Sequence, residues 1–285
     1  MGSLVVMDRA EVFRKALDSA RAGGATVGLV PTMGALHEGH RSLVRRSAAE
    51  CVTTVVTIFV NPLQFPSGDD LATYPRDLAG DLVAAEATGA GMVFAPTEAE
   101  LWPDGPPATK VVVAGVEQGM EGAGRPGHFA GVATVLSTLF NLAGPCRAYF
   151  GEKDFQQLAV VRRLAADLWF PVDVVGCATV REPDGVACSS RNARLSPAER
   201  AAATVLYRAL LDGAEAVTGG NRDADHLRRV MADRIGAEPL AVLDYAEVVD
   251  AATLVPLPRV TGDARLLVAA RFGDTRLIDN LGVTA

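Results

Sequence analysis

TVGLVPTMGALHEGH, residues 26–40, joins a short apolar run to a glycine-containing turn and then to a polar stretch with two histidines. The apolar run predicts a buried strand, and GHRSLVRRSAAE at 39–50 has the spacing of a helix. A strand, a glycine-containing turn and a helix in this order are typical of a parallel βαβ sheet. Because ligands bind at the carboxyl ends of such strands, the turn is where we expect a site.

The same alternation continues through the first part of the chain. Further strands are predicted at 52–60, 92–95, 147–150 and 172–175, and helices at 8–22, 76–88, 130–142 and 154–169. After about residue 180 the pattern changes to helices at 197–212 and 221–235 and apolar strand-like runs at 242–249 and 265–272, with a hairpin turn at 273–274. We therefore predict an α/β fold with a parallel-sheet domain over residues 1–179 and a smaller α+β domain over residues 180–285.

The composition limits the classes of protein to consider. With 285 residues, 49% hydrophobic and 21% charged, the chain is a globular protein of one or two domains. A net charge of −7 disfavours a nucleic-acid partner, and the four cysteines lack the spacing of a disulfide framework or a structural zinc site. The first residues lack a secretory signal pattern, and the most apolar run is too short to span a bilayer. We expect a soluble cytoplasmic enzyme with no membrane partner.

The two histidines of the opening stretch favour a phosphate-binding site. His37 and His40 fall where the predicted helix starts, and the amino-terminal end of a helix attracts anions. Side chains at i and i+3 point the same way, and Gly39 leaves room for a nucleotide. A single histidine here is more often a cap or a packed side chain, but the HxGH pair favours nucleotide binding. Zinc is disfavoured because His128 and His226 lack the spacing of ligands.

CSSRN at 188–192 is a second cluster of phosphate donors. Arg191 can bind phosphate oxygens in a bidentate manner while Ser189 and Ser190 donate from their hydroxyls. By itself the stretch is equally typical of a capping loop before the helix that starts at Pro197. Its meaning therefore depends on the other clusters.

GEKDFQQ at 151–157 follows a predicted strand and supplies both charge and amides. Lys153 is a mobile positive charge, and Asp154 is explained equally well as a helix N-cap and as a ligand of ribose or metal. Gln64 and Gln157 follow two predicted strands, where their uncharged amides suit the hydroxyl and carboxylate groups of a small polar substrate. Together the clusters predict an ATP-dependent enzyme.

The motifs PTMGALHEGH, FVNPLQF, YPRD, RPGHFAGV, GEKDFQQ, VREPDGVACSSRN and RLIDN occur in this order. In this respect the chain resembles the pantoate–β-alanine ligase (pantothenate synthetase) family, of the HxGH nucleotidyltransferase-like superfamily, over nearly its whole length. The resemblance implies a Rossmann-like amino-terminal domain that binds ATP and pantoate, a carboxy-terminal lid domain and a homodimer. It also implies ATP and Mg²⁺, and the condensation of pantoate with β-alanine through a pantoyl adenylate, as in vitamin B5 and coenzyme A biosynthesis.

The resemblance further implies a role for each matching residue. Those implied as catalytic are His37, His40, Lys153, Arg191 and Asn61. Those implied to bind ATP are Pro31, Thr32, Met33, His37, Gly39, His40, Phe150, Gly151, Lys153, Asp154, Val180, Cys188, Ser189, Ser190 and Arg191. Those implied to bind pantoate are Met33, Gln64 and Gln157, and the implied metal ligand is Asp81.

The sequence departs from the family pattern at two places. Cys188 stands where the family usually has methionine, and the acidic cluster after YPR is reduced to Asp77 and Asp81. Because Cys188 adjoins the phosphate-binding serines, we expect a thiol reagent to inactivate the enzyme and ATP to protect it.

Two alternatives share some of these features. Another HxGH nucleotidyltransferase, joining ATP or CTP to a phosphorylated alcohol, would need the histidine pair but not the pair of glutamines. A non-catalytic nucleotide sensor would need fewer charged groups than Lys153, Arg191 and both histidines provide. No residue in the motifs is a convincing general base for the amine of β-alanine, so that role has no assignment.

Overall fold

The computed structural model describes residues 4–65 and 71–285. Contacts between Cα atoms divide the chain into two units, the described part of Met1–Glu152 with Val160–Ala178, and Lys153–Ala159 with Thr179–Ala285. The first unit contains a six-stranded parallel sheet and the second a three-stranded antiparallel sheet. The predicted fold class is confirmed. The boundary between residues 179 and 180 and the lid role of the second domain stay predictions.

The strands of the first unit form a sheet of order β1-β4-β3-β2-β5-β6. They are β1 Val5–Met7, β2 Val27–Thr32, β3 Thr53–Ile58, β4 Met92–Phe94, β5 Cys146–Gly151 and β6 Val172–Cys177. The chain builds outward from β2 through β3 to β4 and then crosses to β5 on the other side of β2. This change of direction is the topological switch point, where ligands bind in open α/β sheets.

The helices of the first unit cover the sheet and bury its apolar side chains. They are α1 Ala10–Ala22, α2 Glu38–Glu50, α3 Leu78–Ala87, α4 Glu98–Leu101, α5 Met120–Gly124, α6 His128–Ala143 and α7 Phe155–Asp167, whose first residues group with the second unit. Leu29 and Val30 of β2 are fully buried, as expected of a central parallel strand. Helix α1 ends at Gly23, as the sequence predicts.

The second unit is a helical layer on an antiparallel sheet. Its elements are α8 Pro197–Ala202, α9 Thr204–Thr218, α10 Ala224–Gly236, β7 Ala241–Asp250, β8 Asp263–Phe272 and β9 Thr275–Thr284. Helix α9 packs on β8 and β9, and α10 packs on β7. Leu210, Leu227, Met231, Leu266 and Phe272 are buried in one apolar core. Within the described parts of the chain, no helix has both the length and the apolar character needed to cross a membrane.

Candidate active site

Residues 33–40, here called the histidine turn, connect β2 to α2. His37 is the N-cap of α2, and its Nδ1 accepts a hydrogen bond from the backbone N–H of Gly39 at 3.1 Å. In return, the His40 Nδ1 accepts from the backbone N–H of His37 at 3.4 Å. The two rings lie 4.1 Å apart between centroids. His37 therefore acts as a helix cap, and its ring also lies beside that of His40. The sequence suggests both arrangements, and the structure contains both.

This reciprocal cap sets the protonation pattern of the two rings. A ring nitrogen that accepts a hydrogen bond carries no proton, so each neutral imidazole holds its proton on Nε2. The Nε2–H of His37 and of His40 are thus donors, at the positive end of the α2 dipole. Two such donors in one helix terminus can bind the oxygens of a phosphate chain.

Asp81 of α3 supports the histidine turn. Its Oδ2 accepts from the N–H of Ala35 at 2.9 Å, and its Oδ1 accepts from the N–H of Leu36 at 2.7 Å. Gly34 and Ala35 both have positive φ, +82° and +52°, which is a costly conformation for alanine. A Cβ on Gly34 would lie 2.7 Å from the Asp81 carboxylate, so this close approach requires glycine. Asp81 therefore stabilises the turn.

Thr32 and Pro31 enter the same turn from β2. The Thr32 hydroxyl donates to the Thr57 carbonyl at 2.7 Å and accepts from the Gly34 N–H at 3.2 Å. Thr32 is buried and Met33 is partly buried. The Thr32 side chain thus joins the turn to β3.

A cluster of buried amides follows β3. The Asn61 Nδ2 donates to the Gln64 Oε1 at 2.9 Å and to the Gly131 carbonyl at 3.1 Å, and the Asn61 Oδ1 accepts from the Leu63 N–H. Because the Gln64 oxygen faces Asn61, the Gln64 NH₂ is the group that can donate to a ligand. The structure thus brings Asn61 and Gln64 together, in a geometry suited to a carboxylate or hydroxyl.

His128 holds the backbone of this cluster, although the sequence alone assigned it no role. Its Nε2 lies 3.0 Å from Nη1 of Arg125, and its Nδ1 lies 2.9 Å from the Gln64 carbonyl oxygen. A guanidinium can only donate, so Nε2 accepts and Nδ1–H donates to Gln64. A Cβ on Gly131 would come within 2.2 Å of the Leu63 carbonyl oxygen. Two residues of the motif RPGHFAGV therefore hold the backbone around Gln64: His128 by a hydrogen bond and Gly131 by close packing.

The 3₁₀ turn Glu152–Asp154, here called the lysine turn, directly follows β5. Nζ of Lys153 lies 3.6 Å from the Asp154 carboxylate, and the Lys153 carbonyl accepts from the Asn280 side-chain amide at 2.8 Å. Phe150 is buried and Gly151 partly buried at the end of β5. Phe155 begins α7, the first turn of which carries Gln157. Asp154 lies in the turn, next to the lysine.

Val180 and Cys188 lie opposite each other in a small hairpin. The Cys188 N–H donates to the Val180 carbonyl at 2.9 Å, Arg181 pairs with Ala187, and Gly185 turns the chain with φ of +96°. Cys188 is buried, and its S–H donates to Glu182 at 3.6 Å. Burial disfavours the expected reaction of this thiol with reagents, because an enclosed sulfur is poorly accessible; the reaction itself stays a prediction.

The serine and arginine cluster follows this hairpin as a 3₁₀ helix, Ser190–Arg194. Ser189 caps it by accepting from the Arg191 N–H at 3.2 Å, while Ser196 caps α8. Within CSSRN, Ser189 thus caps the 3₁₀ helix, whereas the cap of the helix that starts at Pro197 is Ser196, outside the cluster. Ser190 and Arg191 are only partly buried.

Lys153, Ser189 and Asn192 line one small cavity of about 10 Å³, the size of a single water molecule. Asn192 donates to the Ala187 carbonyl at 3.0 Å, and its buried Oδ1 has no hydrogen-bond partner among the described residues. The structure thus brings Lys153 close to the start of the serine and arginine cluster, inside the second unit.

The described residues do not fit a metal ion held by the protein alone. Among residues 4–65 and 71–285, no three His, Cys, Asp or Glu side chains form a group that could hold one. Both oxygens of Asp81 accept backbone hydrogen bonds, and Asp77 caps α3 through the Gly80 N–H. Assignment of Asp81 as a metal ligand receives no support from this geometry.

Comparison with known proteins identifies the relatives of the chain. The sequence profile of the pantoate-beta-alanine ligase family matches residues 5–282. A protein from Rubrobacter xylanophilus, named pantothenate synthetase, is 55% identical over 271 residues, covering 91% of this chain and 92% of the relative. One of the same name from Heliobacterium modesticaldum is 52% identical over 260 residues, with the same coverage.

Solved structures agree with this similarity. The pantothenate synthetase of Thermus thermophilus has a TM-score of 0.91 and 47% identity, over 97% of this chain and 98% of that one. A pantoate-beta-alanine ligase from Francisella tularensis, in a complex with beta-gamma ATP and beta-alanine, has a TM-score of 0.80 and 30% identity. The match covers 98% of this chain and 97% of that one.

Proposed function

The chain belongs to the pantoate–β-alanine ligase family, and we propose that its histidine and lysine turns promote the reaction through a pantoyl adenylate. The enzyme condenses pantoate with β-alanine at the expense of ATP and forms pantothenate. The observation that carries the proposed mechanism is the reciprocal cap of His37 and His40, which orients two Nε2–H donors at the positive end of α2.

ATP is bound by donors that end two neighbouring strands. His37 and His40 contact the phosphates, and Lys153, Ser190 and Arg191 supply further donors and positive charge. The remaining ATP contacts are made by backbone or apolar atoms of Pro31, Thr32, Met33, Gly39, Phe150, Gly151, Val180 and Cys188, by the Asp154 carboxylate and by Ser189. Buried Thr32, Cys188 and the capping Ser189 contribute mainly by shaping the site, because their side-chain groups already have partners.

The first chemical step is attack by the pantoate carboxylate on the α-phosphorus of ATP. A bond forms from the carboxylate oxygen to phosphorus, and the bond to the β,γ-pyrophosphate breaks. This step requires no nucleophile from the protein, only alignment of the reactants and stabilisation of developing charge. The Nε2–H groups of His37 and His40 and the ammonium of Lys153 supply that stabilisation as donors to the phosphate oxygens.

Pantoate is oriented by the two glutamines and Met33. The NH₂ of Gln64 donates to the substrate because its oxygen is engaged by Asn61. Replacement of Gln64 by Ala should raise the KM for pantoate by roughly tenfold and leave ATP affinity unchanged, since one buried hydrogen bond is lost. Calorimetric titration of ATP is the control, and an equal loss of ATP affinity would contradict the assignment.

In the second step the amine of β-alanine attacks the acyl carbon and AMP leaves. An alkyl amine with a pKa of about 10 must first lose a proton at neutral pH. The mixed anhydride also has to be shielded from water until the amine arrives.

Mg²⁺ is proposed to enter as part of the ATP substrate. Mg²⁺ prefers phosphate oxygens and water, with only one or two carboxylates from a protein. Among the described residues, the chain provides no group of three His, Cys, Asp or Glu side chains that could hold the ion by itself.

A homodimer and a cytoplasmic location complete the proposal. The outer edge of β6 is unpaired in the order of the described strands, and beside it lies a groove of about 680 Å³ lined by Arg162, Trp169 and Asp173. Trp169 is 91% exposed and held at a φ of +53°. An exposed indole next to a free strand edge is typical of a surface that another chain covers. Sedimentation of wild-type protein and Trp169→Ser tests this assembly.

Membership of the pantoate–β-alanine ligase family argues against another HxGH nucleotidyltransferase, as does the Asn61 and Gln64 pair. Pantoate labelled with ¹⁸O in its carboxylate separates attack at the α-phosphorus of ATP from attack at the γ-phosphorus. The proposed mechanism predicts one ¹⁸O in the AMP that is released. Transfer of ¹⁸O to inorganic phosphate, with ADP as the nucleotide product, would show attack at the γ-phosphorus and overturn the proposal.

A further inference from the structure

Asn280 of β9 connects the end of the chain to the lysine turn. Its Nδ2 donates to the Lys153 carbonyl at 2.8 Å, across 127 residues of sequence. Its Oδ1 accepts from Nε of Arg265 at 2.6 Å, and the residue is 3% exposed. Since both ends of the buried amide are hydrogen-bonded, its orientation is fixed. The motif RLIDN, which ends at Asn280, thus has a structural target in the active site.

Arg265 of β8 makes a second connection to the same turn. Its guanidinium lies 4.1 Å above the ring centroid of Phe155, which is a cation–π contact. Phe155 begins α7, two residues from Lys153 and two from Gln157. Gly282 faces Arg265 across the strands, and a Cβ there would lie 3.1 Å from Nη1. The guanidinium therefore lies close against the backbone of Gly282.

Asp279 precedes Asn280 in β9 and stabilises this part of the strand. Its carboxylate binds the guanidinium of Arg181 at 2.6 and 3.0 Å and also accepts from the Asn280 N–H at 2.7 Å. Arg181 in turn stacks on Tyr207 at 3.8 Å. A bidentate ion pair with a buried carboxylate holds both side chains in one geometry, so the strand that carries Asn280 is rigid at this point.

We propose that Asn280, assisted by Arg265, is a positioning residue that sets the place of Lys153 for transfer of the adenylyl group. The proposal rests on the function assigned to Lys153 above. The Lys153 side chain has a limited reach, so a shift of its backbone moves the ammonium relative to the phosphate oxygen that it contacts. A misplacement of about 1 Å can cost on the order of a hundredfold in rate.

The decisive variant is Asn280→Asp, which has the same shape. It keeps an acceptor for Arg265 but places an oxygen against the Lys153 carbonyl in place of a donor. We expect the rate of pantoyl adenylate formation, measured by single-turnover quench, to fall by about ten- to thirtyfold. Arg265→Gln retains a donor for Asn280 and removes the cation–π contact, and should lower the rate by about three- to fivefold.

Each variant is also made in the Lys153→Ala background. If Asn280 acts by positioning the ammonium, most of its effect on rate must vanish when the ammonium is absent, leaving a factor of about two. Arg228→Ala is the matched control, because Arg228 donates to the carbonyls of Val248 and Leu257 in the same unit and these bonds lie outside the lysine turn. It should lower the melting temperature and leave the rate unchanged.

The outcomes distinguish this inference from the function on which it rests. Normal adenylation by Lys153→Ala would remove the role of the lysine itself. Suppose that Lys153→Ala is slow and that adding Asn280→Asp lowers its rate by the full ten- to thirtyfold again. This result would overturn the proposal that Asn280 acts through Lys153. A wild-type rate in Asn280→Asp would overturn it as well, and if that variant does not fold, the same cycle with Arg265→Gln decides.

Discussion

The histidine turn and the lysine turn follow the neighbouring strands β2 and β5, but they are held in different ways. The histidine turn is closed largely by itself, because His37 and His40 bond to backbone groups within three residues. The lysine turn is held by a side chain 127 residues away, Asn280. The geometry of the histidine turn can be predicted from its sequence because the contacts that hold it are local. The sequence of the lysine turn identifies its own residues but not the distant residue that holds it.

The largest expected effect separates the two functions of His37. Asparagine is a good N-cap, so His37→Asn should preserve the start of α2 while removing the imidazole donor. We expect both His37→Asn and His37→Ala to lower the adenylation rate by about a hundredfold, ~3 kcal/mol, as for the loss of one transition-state donor. Only His37→Ala should also lose about 1 kcal/mol of folding stability.

Chemical denaturation and single-turnover kinetics measure these two quantities separately. Recovery of the rate in His37→Asn would mean that the cap is the whole role of the residue. The histidine turn would then be a structural motif and not a phosphate site.

Asp81 supports the histidine turn from a distant part of the sequence, and its removal is the next effect in size. Asp81→Asn leaves one acceptor for the two N–H groups of Ala35 and Leu36, so one partly buried donor loses its partner. We expect a loss of about 1–3 kcal/mol in the free energy of unfolding and roughly tenfold in adenylation rate. Asp77→Asn, which retains an N-cap, should change neither.

An alternative outcome is informative for Asp81. A normal rate at low Mg²⁺ concentration combined with normal stability would show that the carboxylate does not hold the turn. A change confined to the Mg²⁺ dependence would instead favour its role as a metal ligand.

A smaller effect on the adenylation rate is expected at Gly282, which faces the Arg265 side chain that supports the lysine turn. The methyl group of Gly282→Ala would lie 3.1 Å from Nη1 of Arg265, so the guanidinium must shift by a few tenths of an ångström. We expect a two- to threefold lower adenylation rate, on the scale of a weakened cation–π contact. Gly262→Ala, where a Cβ would meet nothing within 4 Å, is the matched control.

The smallest effect concerns the cysteines. Cys51, Cys146, Cys177 and Cys188 are all buried, and burial raises the pKa of Cys146 to about 12 and that of Cys177 above its usual value. Because all four thiols are enclosed in the folded chain, reaction with an aromatic disulfide reagent should be slow in native protein and complete after unfolding. Rapid loss of activity, prevented by ATP and abolished by Cys188→Met, would show that Cys188 is accessible after all.

The alternation of strands and helices is predictable because apolar periodicity is a local property. Strand β1 is not predicted, because Val5–Met7 is too short for a clear apolar pattern and pairs with β4, which lies far along the chain. The sequence predicts the hairpin turn before β9, the third strand of the second unit, but not the strand itself.

The site shows the same limit. The histidine pair is predictable because its spacing determines its geometry. Asp81, His128 and Asn280 reach their targets across 45, 64 and 127 residues, and no local pattern encodes such contacts. The motifs RPGHFAGV and RLIDN mark two of these residues without showing what they touch. Burial of Cys188 is likewise hidden, because the residues that follow it in sequence are polar.

Exchange of labelled pyrophosphate into ATP tests the central claim most directly. If the two turns bind ATP for attack by the pantoate carboxylate, exchange must occur with pantoate present and β-alanine absent, since the amine has no part in the first step. His37→Asn and Lys153→Ala should each reduce this exchange by about a hundredfold. Exchange that requires β-alanine, or that proceeds without pantoate, would contradict the account.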